Sequence, residues 1–308
     1  LKSVIFFVSF LLISHVFAEN LTLKFSTPLP KQVKENIIAH LGHLPESEAE
    51  RAAFIFSAQQ NINHALQALG YYRATITRYI DKPTPDNWQL QLTISLNQAT
   101  HINQVHIQIT GAAKHDDAFM QLQQGIPLKT GVQLNHGSYE QVKDSLIALA
   151  IQRGYFDAKY TKSEIAITPN YQAANISLHF HSGPRYKFGQ VNFNNFPLRT
   201  ELLTALIPFD YGQAYEVNTF HQLQQQLQTS QYFDNVIVTI ATNQHVTKVK
   251  QITKRTPDIN LEKNTEKTTE KKHYLPMQVA LTKAKSHQID FGIGYSTDTD
   301  IHTSISWR

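Results

Sequence analysis

One four-residue pattern occurs three times along the chain and sets the size of its folding units. It lies at Leu69–Tyr72, Arg153–Phe156 and Ser230–Phe233, and the tyrosines at its third position are 84 and 77 residues apart. An interval of about 80 residues is too long for a solenoid repeat but suits small globular domains in tandem. The pattern therefore predicts three domains of similar construction.

Each copy of the pattern is expected to join a helix to a strand. Apolar residues three and four positions apart precede it, which indicates one buried helix face. Gly70 and Gly154 fall where such a helix must end, because glycine adopts a left-handed conformation without a Cβ clash, whereas Gln231 has that place in the third copy. The aromatic residues that follow are predicted to anchor the next strand to the helices: Tyr71, Tyr72, Tyr155, Phe156, Tyr232 and Phe233.

Alternating apolar residues mark the strands of each unit. The first strand is predicted around Leu21–Phe25, Val105–Ile109 and Gly189–Phe193. Such alternation indicates a sheet with one buried face. Two helices follow, with Asp116 and Ser138 as the expected N-caps in the second unit, and then two more strands. The predicted fold class is therefore α+β, with three βααββ units that each cover one face of a small sheet with two helices.

The domain limits follow from these elements. Residues 1–18 predict a signal peptide, because Lys2 precedes an apolar run too short to span a bilayer; a buried N-terminal helix or strand is the alternative. The third unit contains a Lys/Glu-rich insertion at 247–273, expected to be a mobile loop. It is either a patch for lipid phosphates or an acidic partner, or simply a solvated loop. The three units are predicted at residues 19–98, 99–182 and 183–284.

Residues 285–308 have a different pattern. Apolar residues alternate strictly with small or polar ones on both sides of a turn at Thr297–Asp300, which is typical of an outer-membrane β-hairpin. Two strands cannot close a barrel, and lipid does not tolerate an open sheet edge, so the barrel would continue past Arg308. An ordinary amphipathic hairpin packed on the third domain is the alternative.

Composition and motifs argue against several classes of protein. The chain has no cysteine, which excludes disulfides and thiolate sites, and no apolar run of about 18 residues predicts a membrane-spanning helix. A net charge of +4 is a weak argument for nucleic acid. No P-loop, HExxH or GxSxG motif occurs, and His179 and His181 are interpreted as surface residues. We expect neither an enzyme nor a cofactor or metal site.

The order of these features resembles the Omp85 superfamily, whose periplasmic POTRA domains precede an outer-membrane barrel. The stretches that carry the resemblance are Ala68–Tyr72, Ser182–Gly189 and Gly292–Asp298. Three POTRA copies are similar to the autotransporter assembly factors of TamA type. The resemblance implies a protein of the outer membrane of a Gram-negative bacterium, with three tandem POTRA domains in the periplasm and the first barrel hairpin after them.

The resemblance also implies a function and partners. A TamA-like factor assembles outer-membrane proteins such as autotransporters, and its expected partners are a TamB-type inner-membrane protein, unfolded outer-membrane clients and outer-membrane lipid, with no nucleic acid. One alternative is a two-partner-type secretion pore that exports a dedicated protein. Another is a soluble periplasmic scaffold that ends at Arg308.

Partner and client binding is expected along the second strand of each domain. An exposed sheet edge offers unpaired backbone groups to an incoming extended chain. Because strand order does not follow from the sequence, the choice of this strand rests on the resemblance. The predicted binding residues are Arg73, Ala74, Thr75, Ala158, Lys159, Tyr160, Val236, Ile237 and Val238.

Overall fold

The computed structural model describes residues 20–84, 87–193, 199–230, 232–241, 250–252, 273–283, 289–296 and 300–307. The predicted signal peptide, Gln231 and most of the insertion at 247–273 lie outside these stretches. None of the helices within them has the length and apolar content needed to cross a bilayer.

The chain divides into two compact units. The first comprises the described residues up to Ile107 together with 126–142 and 163–177. The second comprises residues 108–125 and 143–162 and the described residues from Leu178 onwards.

The first sheet lies in the N-terminal part of the chain. Its elements are β1 (Asn20–Phe25), α1 (Lys31–Leu41), α2 (Glu48–Ala68), β2 (Thr75–Thr84) and β3 (Asn87–Ser95). The strand order is β1-β3-β2, with β3 parallel to β1 and antiparallel to β2. β2 is therefore an edge strand.

The second sheet repeats this order. Its elements are β4 (His101–Thr110), a 3-10 turn at Ala112–His115, α3 (Asp117–Gln124), α4 (His136–Gln152), β5 (Lys159–Ile167) and β6 (Ala173–His181). The strand order is β4-β6-β5, so the second strand is again at an edge. Asp116 caps α3 as predicted, by accepting a hydrogen bond from the Ala118 amide. The predicted cap of α4 is wrong: α4 begins at His136, and the Asn135 side chain accepts from the Ser138 amide.

The third sheet has one strand more than the repeat predicts. Its elements are β7 (Lys187–Phe193), α5 (Thr200–Ala205), α6 (Val217–Thr229), β8 (Phe233–Ile240), β9 (Lys250–Ile252) and β10 (Tyr274–Lys283). The strand order is β8-β10-β7-β9. β9 lies inside the segment expected to be a loop, and it pairs antiparallel with β7. The hairpin of β11 (Ile289–Ser296) and β12 (Asp300–Trp307) follows as a separate two-stranded sheet.

The buried side chains come from the alternating strand positions and from one face of each helix. In the first unit, Ile37 and Ile62 on the helices pack with Leu90 and Leu92 on β3. In the second unit, the core includes aromatic residues of β7 together with apolar residues of α6 and β10, namely Phe188, Phe193, Leu223, Leu227, Met277 and Val279. The prediction of an α+β fold is confirmed, with three mixed sheets.

Candidate joints and binding edges

The first glycine turn lies against the start of the next sheet. The Gly70 carbonyl accepts a hydrogen bond from the Thr100 amide at 2.9 Å, and the Thr100 carbonyl accepts from the Leu134 amide at 2.8 Å. The Ile102 carbonyl in turn accepts from the Gly131 amide at 2.7 Å. These five residues form the first joint, in which the turn after α2 packs on backbone of the following domain.

The second glycine turn has the same arrangement. The Gly154 carbonyl accepts from the Tyr186 amide at 2.8 Å, and the Tyr186 carbonyl accepts from the Tyr215 amide at 3.0 Å. The Phe188 carbonyl accepts from the Gly212 amide at 2.9 Å. These five residues form the second joint. Each of the two glycine turns therefore packs against the backbone at the start of the next sheet.

Both glycines are required for two reasons. Gly70 and Gly154 have positive φ angles of 83° and 81°, as a left-handed helix stop requires. In addition, a Cβ atom on Gly70 would lie 2.7 Å from the Leu134 carbonyl oxygen, and one on Gly154 would lie 2.8 Å from Cβ of Tyr215. The sequence predicts the turn but not this close approach. Gln231, the third copy, lies outside the described residues.

The two aromatic residues after Gly154 have different surroundings. Tyr155 is only 2% exposed; its ring packs edge-on against Phe119, and its hydroxyl donates to Asp116 at 2.8 Å. Phe156 is 39% exposed and packs edge-on against Tyr215 at 5.2 Å. Phe156 thus packs on the second joint, although from the sequence we expect it to anchor the strand to the helices.

The other copies of the pattern differ from this one. The Tyr72 hydroxyl lies 2.5 Å from Nε2 of His136, and the Tyr72 ring stacks on Tyr171. Burial lowers the pKa of His136, so a neutral ring is available to accept this hydrogen bond. In the third copy Phe233 is buried in the core, but Tyr232 is 50% exposed. Of the two aromatic anchors expected there, only Phe233 is therefore buried.

A groove of about 420 Å³ lies beside the first joint. Tyr71, which is half-buried against the first core, forms part of its wall. Apolar side chains from α1, the glycine turn and the following segment form much of the rest, including Val33, Leu69, Leu128 and Leu134.

Four charged side chains meet at the second joint and form what we call the ion-pair cluster: Asp116, Arg153, Arg185 and Glu216. Nε of Arg153 donates to Asp116 at 2.8 Å, and Nη1 of the same guanidinium lies 3.1 Å from Glu216. Arg185 contacts Glu216 at 2.5 Å and Asp116 at 3.6 Å, and it also donates to the Arg153 carbonyl at 2.9 Å. Each arginine therefore contacts both carboxylates.

The cluster shifts the proton equilibria of its members. Burial alone would raise the pKa of Asp116, but hydrogen bonds from Arg153, Tyr155 and the Ala118 amide, with the charge of Arg153, lower it below its ordinary value. Burial, and next the hydrogen bond to Asp116, raise the pKa of Tyr155 to about 12. Asp116 thus remains an anion and Tyr155 a hydrogen-bond donor around neutral pH.

Sequence reasoning does not find the cluster. From the sequence, Asp116 and Asp117 are explained by the dipole of α3, and Arg153 belongs to the helix-ending pattern. Arg153 and Asp116 are 37 positions apart, and no local periodicity relates them. One signal is available: aligning the copies of the pattern puts Leu69 opposite Arg153, which shows that the second turn carries a charge that the first lacks.

The predicted binding residues of the first domain lie at the beginning of edge strand β2. Arg73 and Ala74 precede the strand, and Thr75 is its first residue, paired with Ser95. Arg73 is exposed, and its carbonyl accepts from the Asn97 side chain at 2.7 Å. Ala74 is half-buried against the first core, while Thr75 is exposed.

In the second domain the predicted residues have unequal exposure. Ala158 precedes β5, and its amide donates to the Tyr155 carbonyl at 3.2 Å. Lys159 is exposed. Tyr160 is half-buried, and its hydroxyl donates to the Lys143 carbonyl at 2.7 Å. Tyr160 therefore holds the strand to α4, and only part of this set is open to a partner.

In the third domain all three predicted residues lie within β8. Val236 is buried and Val238 half-buried against the core, whereas Ile237 is 52% exposed on the other face. Val238 pairs with Val279, so β10 covers one edge of β8. In the described part of the chain no strand pairs with the opposite edge of β8. Whether any of these edges binds a client stays a prediction.

The two histidines singled out from the sequence, His179 and His181, are half-buried on β6. His181 Nδ1 lies 3.1 Å from the Thr110 hydroxyl. Within the described ranges, no group of three or more His, Cys, Asp or Glu side chains could hold a metal ion.

Comparison with known proteins adds the family. Residues 27–96 match the family model described as POTRA domain, TamA domain 1. The structure is similar to POTRA domains 3–5 of Haemophilus influenzae BamA, with 14% identity and a TM-score of 0.41 over 86% of this chain and 96% of that one. It is also similar to Haemophilus ducreyi BamA lacking POTRA domains 1–3, with 13% identity and a TM-score of 0.44 over 67% of this chain and 34% of that one.

A further similar structure is CdiB from Escherichia coli, with 14% identity and a TM-score of 0.32 over 83% of this chain and 40% of that one. Because these TM-scores are below 0.5, the match of residues 27–96 carries the assignment. The resemblance inferred from the sequence is confirmed for residues 27–96, which match a POTRA domain.

Proposed function

We propose that this POTRA region belongs to a TamA-like outer-membrane assembly factor and binds extended segments of partner and client chains by β-augmentation. The observation that carries the proposal is that strand two of each sheet, as β2, β5 or β8, lies at an edge. An edge strand presents backbone NH and CO groups in register, and an extended chain can add to it with little demand on sequence. That low demand suits a protein with many unfolded clients.

β8 is the edge least protected against an added strand. Its sequence contains neither proline nor lysine. β2, in contrast, contains Lys82 and Pro83, and β5 contains Lys159 and Lys162. Lysine and proline on an edge strand discourage pairing with other chains. The edge of β8 is therefore the principal binding site in this proposal.

The wider role follows from the family resemblance. In this proposal the three POTRA domains lie in the periplasm, and β11 and β12 begin an outer-membrane barrel into which autotransporters and other clients are assembled. A TamB-type inner-membrane protein docks on the first domain, and outer-membrane lipid contacts the barrel. A secretion pore would differ in recognising a single client.

The edge assignment predicts where an extended peptide can be captured. A photo-crosslinking amino acid at Thr239 of β8 is expected to capture a probe peptide of alternating valine and threonine, because the backbone ladder accepts any extended sequence. A second peptide of alternating leucine and serine should be captured equally. The matched control carries the crosslinker at Gln222, exposed on α6. Equal capture at both positions contradicts the edge assignment, and capture of only one peptide favours a dedicated secretion pore.

A pair of proline variants separates binding from folding. Successive NH groups along an edge strand alternate between the neighbouring strand and solvent. Of Ile237→Pro and Val238→Pro, one therefore removes a bond to β10 and lowers the melting temperature, while the other removes only an outward donor and is better tolerated. The better tolerated variant is expected to lose capture at Thr239. Full capture by that variant would refute strand addition at β8.

A further inference from the structure

The two joints share a backbone arrangement but not their side chains. Asp116 caps α3 where Pro30 precedes α1, and Arg153 precedes Gly154 where Leu69 precedes Gly70. At the second joint Arg185 precedes Tyr186, and the corresponding residue at the first joint is Ala99, which precedes Thr100. Likewise Glu216 follows Tyr215, and its counterpart Asn135 follows Leu134. Every charged member of the ion-pair cluster thus corresponds to an uncharged residue at the first joint.

We propose that the ion-pair cluster is a lock that fixes the third domain on the second, whereas the first joint lacks this lock and has the wider range of motion. This inference does not depend on the proposed function. It assigns a conformational role to four residues that neither the helix stops nor the binding edges require.

The charges are arranged so that separating the domains breaks opposite-charge contacts. Arg153, at the end of α4, reaches Glu216 at the start of α6, and Arg185, in the segment before β7, reaches back to Asp116. Bending the joint would pull each arginine away from one of its two carboxylates. Asp116 would keep Arg153 and Glu216 would keep Arg185, but each carboxylate would lose its second arginine, and the Asp116 side chain is only 4% exposed. Hydrogen bonds between ionised partners are stronger and geometrically more specific than neutral ones, so the contacts across the joint oppose bending.

The four corresponding residues of the first joint cannot form such ion pairs. Proline, leucine, alanine and asparagine carry no charge, and the groove beside this joint is walled largely by aliphatic side chains. The first joint is held by backbone hydrogen bonds, apolar packing and neutral side-chain hydrogen bonds, such as those from Gln133 to the Leu69 carbonyl and between Tyr72 and His136. Neutral hydrogen bonds are weaker than charge-assisted ones and apolar contact is not directional, so in this proposal they resist bending less than the ion pairs do.

Spin labels can measure the two joints separately in the full chain. Because the protein has no cysteine, labels attach only at introduced cysteines. Cysteines at Ala148 and Gln225, both exposed, report on the second joint, and cysteines at Gln60 and Lys129, also exposed, report on the first. Double electron–electron resonance then gives a distance distribution for each pair. We expect a narrower distribution across the second joint than across the first.

The double variant Arg153→Leu with Arg185→Ala replaces both arginines of the cluster by the residues at the corresponding positions of the first joint. Its distance distribution should broaden to the width found at the first joint, and Lys159→Ala, an exposed lysine outside the cluster, should leave it unchanged. Glu216→Gln is a milder second variant, because it removes the charge that Arg153 contacts across the joint and keeps the shape of the side chain. The proposal would be overturned if the distance distribution across the second joint kept its width in the double variant. It would also be overturned if the two joints of the wild-type protein gave distributions of equal width. If the double variant does not fold, the width of the distribution in Glu216→Gln decides in the same way.

Discussion

Tyr155 and Tyr71 occupy the same position in two copies of one pattern, yet their polar surroundings differ. Tyr71 is half-buried and packs against an apolar core. Tyr155 is buried, and its hydroxyl donates to Asp116, whose carboxylate also accepts from Arg153. The hydroxyl of Tyr155 is therefore part of a charged network and not merely the end of an anchoring ring.

Removing that hydroxyl is expected to lower stability in a pH-dependent way. Tyr155→Phe should reduce the free energy of unfolding by about 1–3 kcal/mol near neutral pH, because the hydrogen bond goes to a buried carboxylate. The raised pKa of Tyr155, about 12, means that this stabilisation is complete below the ordinary value of 10.0 and is lost as pH rises through about 12. Urea unfolding at pH 7, 9 and 11.5 measures both effects.

The matched control for this substitution is Tyr232→Phe, since Tyr232 is half-exposed in the third copy. It should change the free energy of unfolding by less than about 0.5 kcal/mol. The prediction is contradicted if Tyr155→Phe has the same free energy of unfolding as the wild-type protein. It is also contradicted if the variant loses as much free energy of unfolding above pH 10 as the wild-type protein does.

At the scale of elements, the helix-to-strand turn serves both as a helix stop and as a contact for the next domain. The positive φ is a local requirement, and the short distance to Leu134 or Tyr215 is imposed by the following domain. Gly42, which ends α1, meets only the first requirement: its φ is 76°, and no atom lies within 4 Å of the position that a Cβ atom would take there.

This difference predicts unequal costs for the same substitution. Gly42→Ala should cost about 1–2 kcal/mol, from the left-handed conformation alone. Gly154→Ala should cost more, by about 1–3 kcal/mol, because its methyl group would overlap Tyr215. Thermal or urea unfolding of the two variants measures the difference. Equal losses in the free energy of unfolding would mean that Tyr215 moves aside for the added methyl group at no energetic cost.

Local elements are predictable from the sequence where one short segment determines them. The alternation around Leu21–Phe25 and the apolar helix faces correspond to β1, α1 and α2, and the left-handed stops at Gly70 and Gly154 are present. Ser138 is favoured as a cap because serine commonly caps helices, but Asn135 begins the helix earlier. β9 could not be foreseen, because a strand of three residues in a charged segment has no measurable alternation.

Features that depend on distant parts of the chain could not be derived. Sheet order decides which strand is an edge, and no local pattern in the residues of a strand specifies that order. Phe156 packs on Tyr215, which lies in the next domain, and Arg153 meets Glu216 there. The domain limits and the barrel assigned to residues 285–308 remain predictions from the repeat and the family resemblance.

At the scale of the whole molecule, the chain combines repeated edges with unequal joints. The second strand of the repeat lies at an edge in all three sheets, although β9 is added to the other side of the third. The edges differ in their protection, and β8 has neither lysine nor proline. The two joints differ in charge, so the orientation of the third domain on the second is more tightly specified in our proposal.

The proposed function depends above all on β8 receiving an extended strand along its open edge. Hydrogen exchange of the full chain, with and without the valine–threonine peptide, reports on this event itself, because added backbone hydrogen bonds slow exchange of the amides that form them. We predict slower exchange in β8 on adding the peptide, with exchange in α6 unchanged. Unchanged exchange throughout β8 at a peptide concentration that saturates binding would contradict strand addition there.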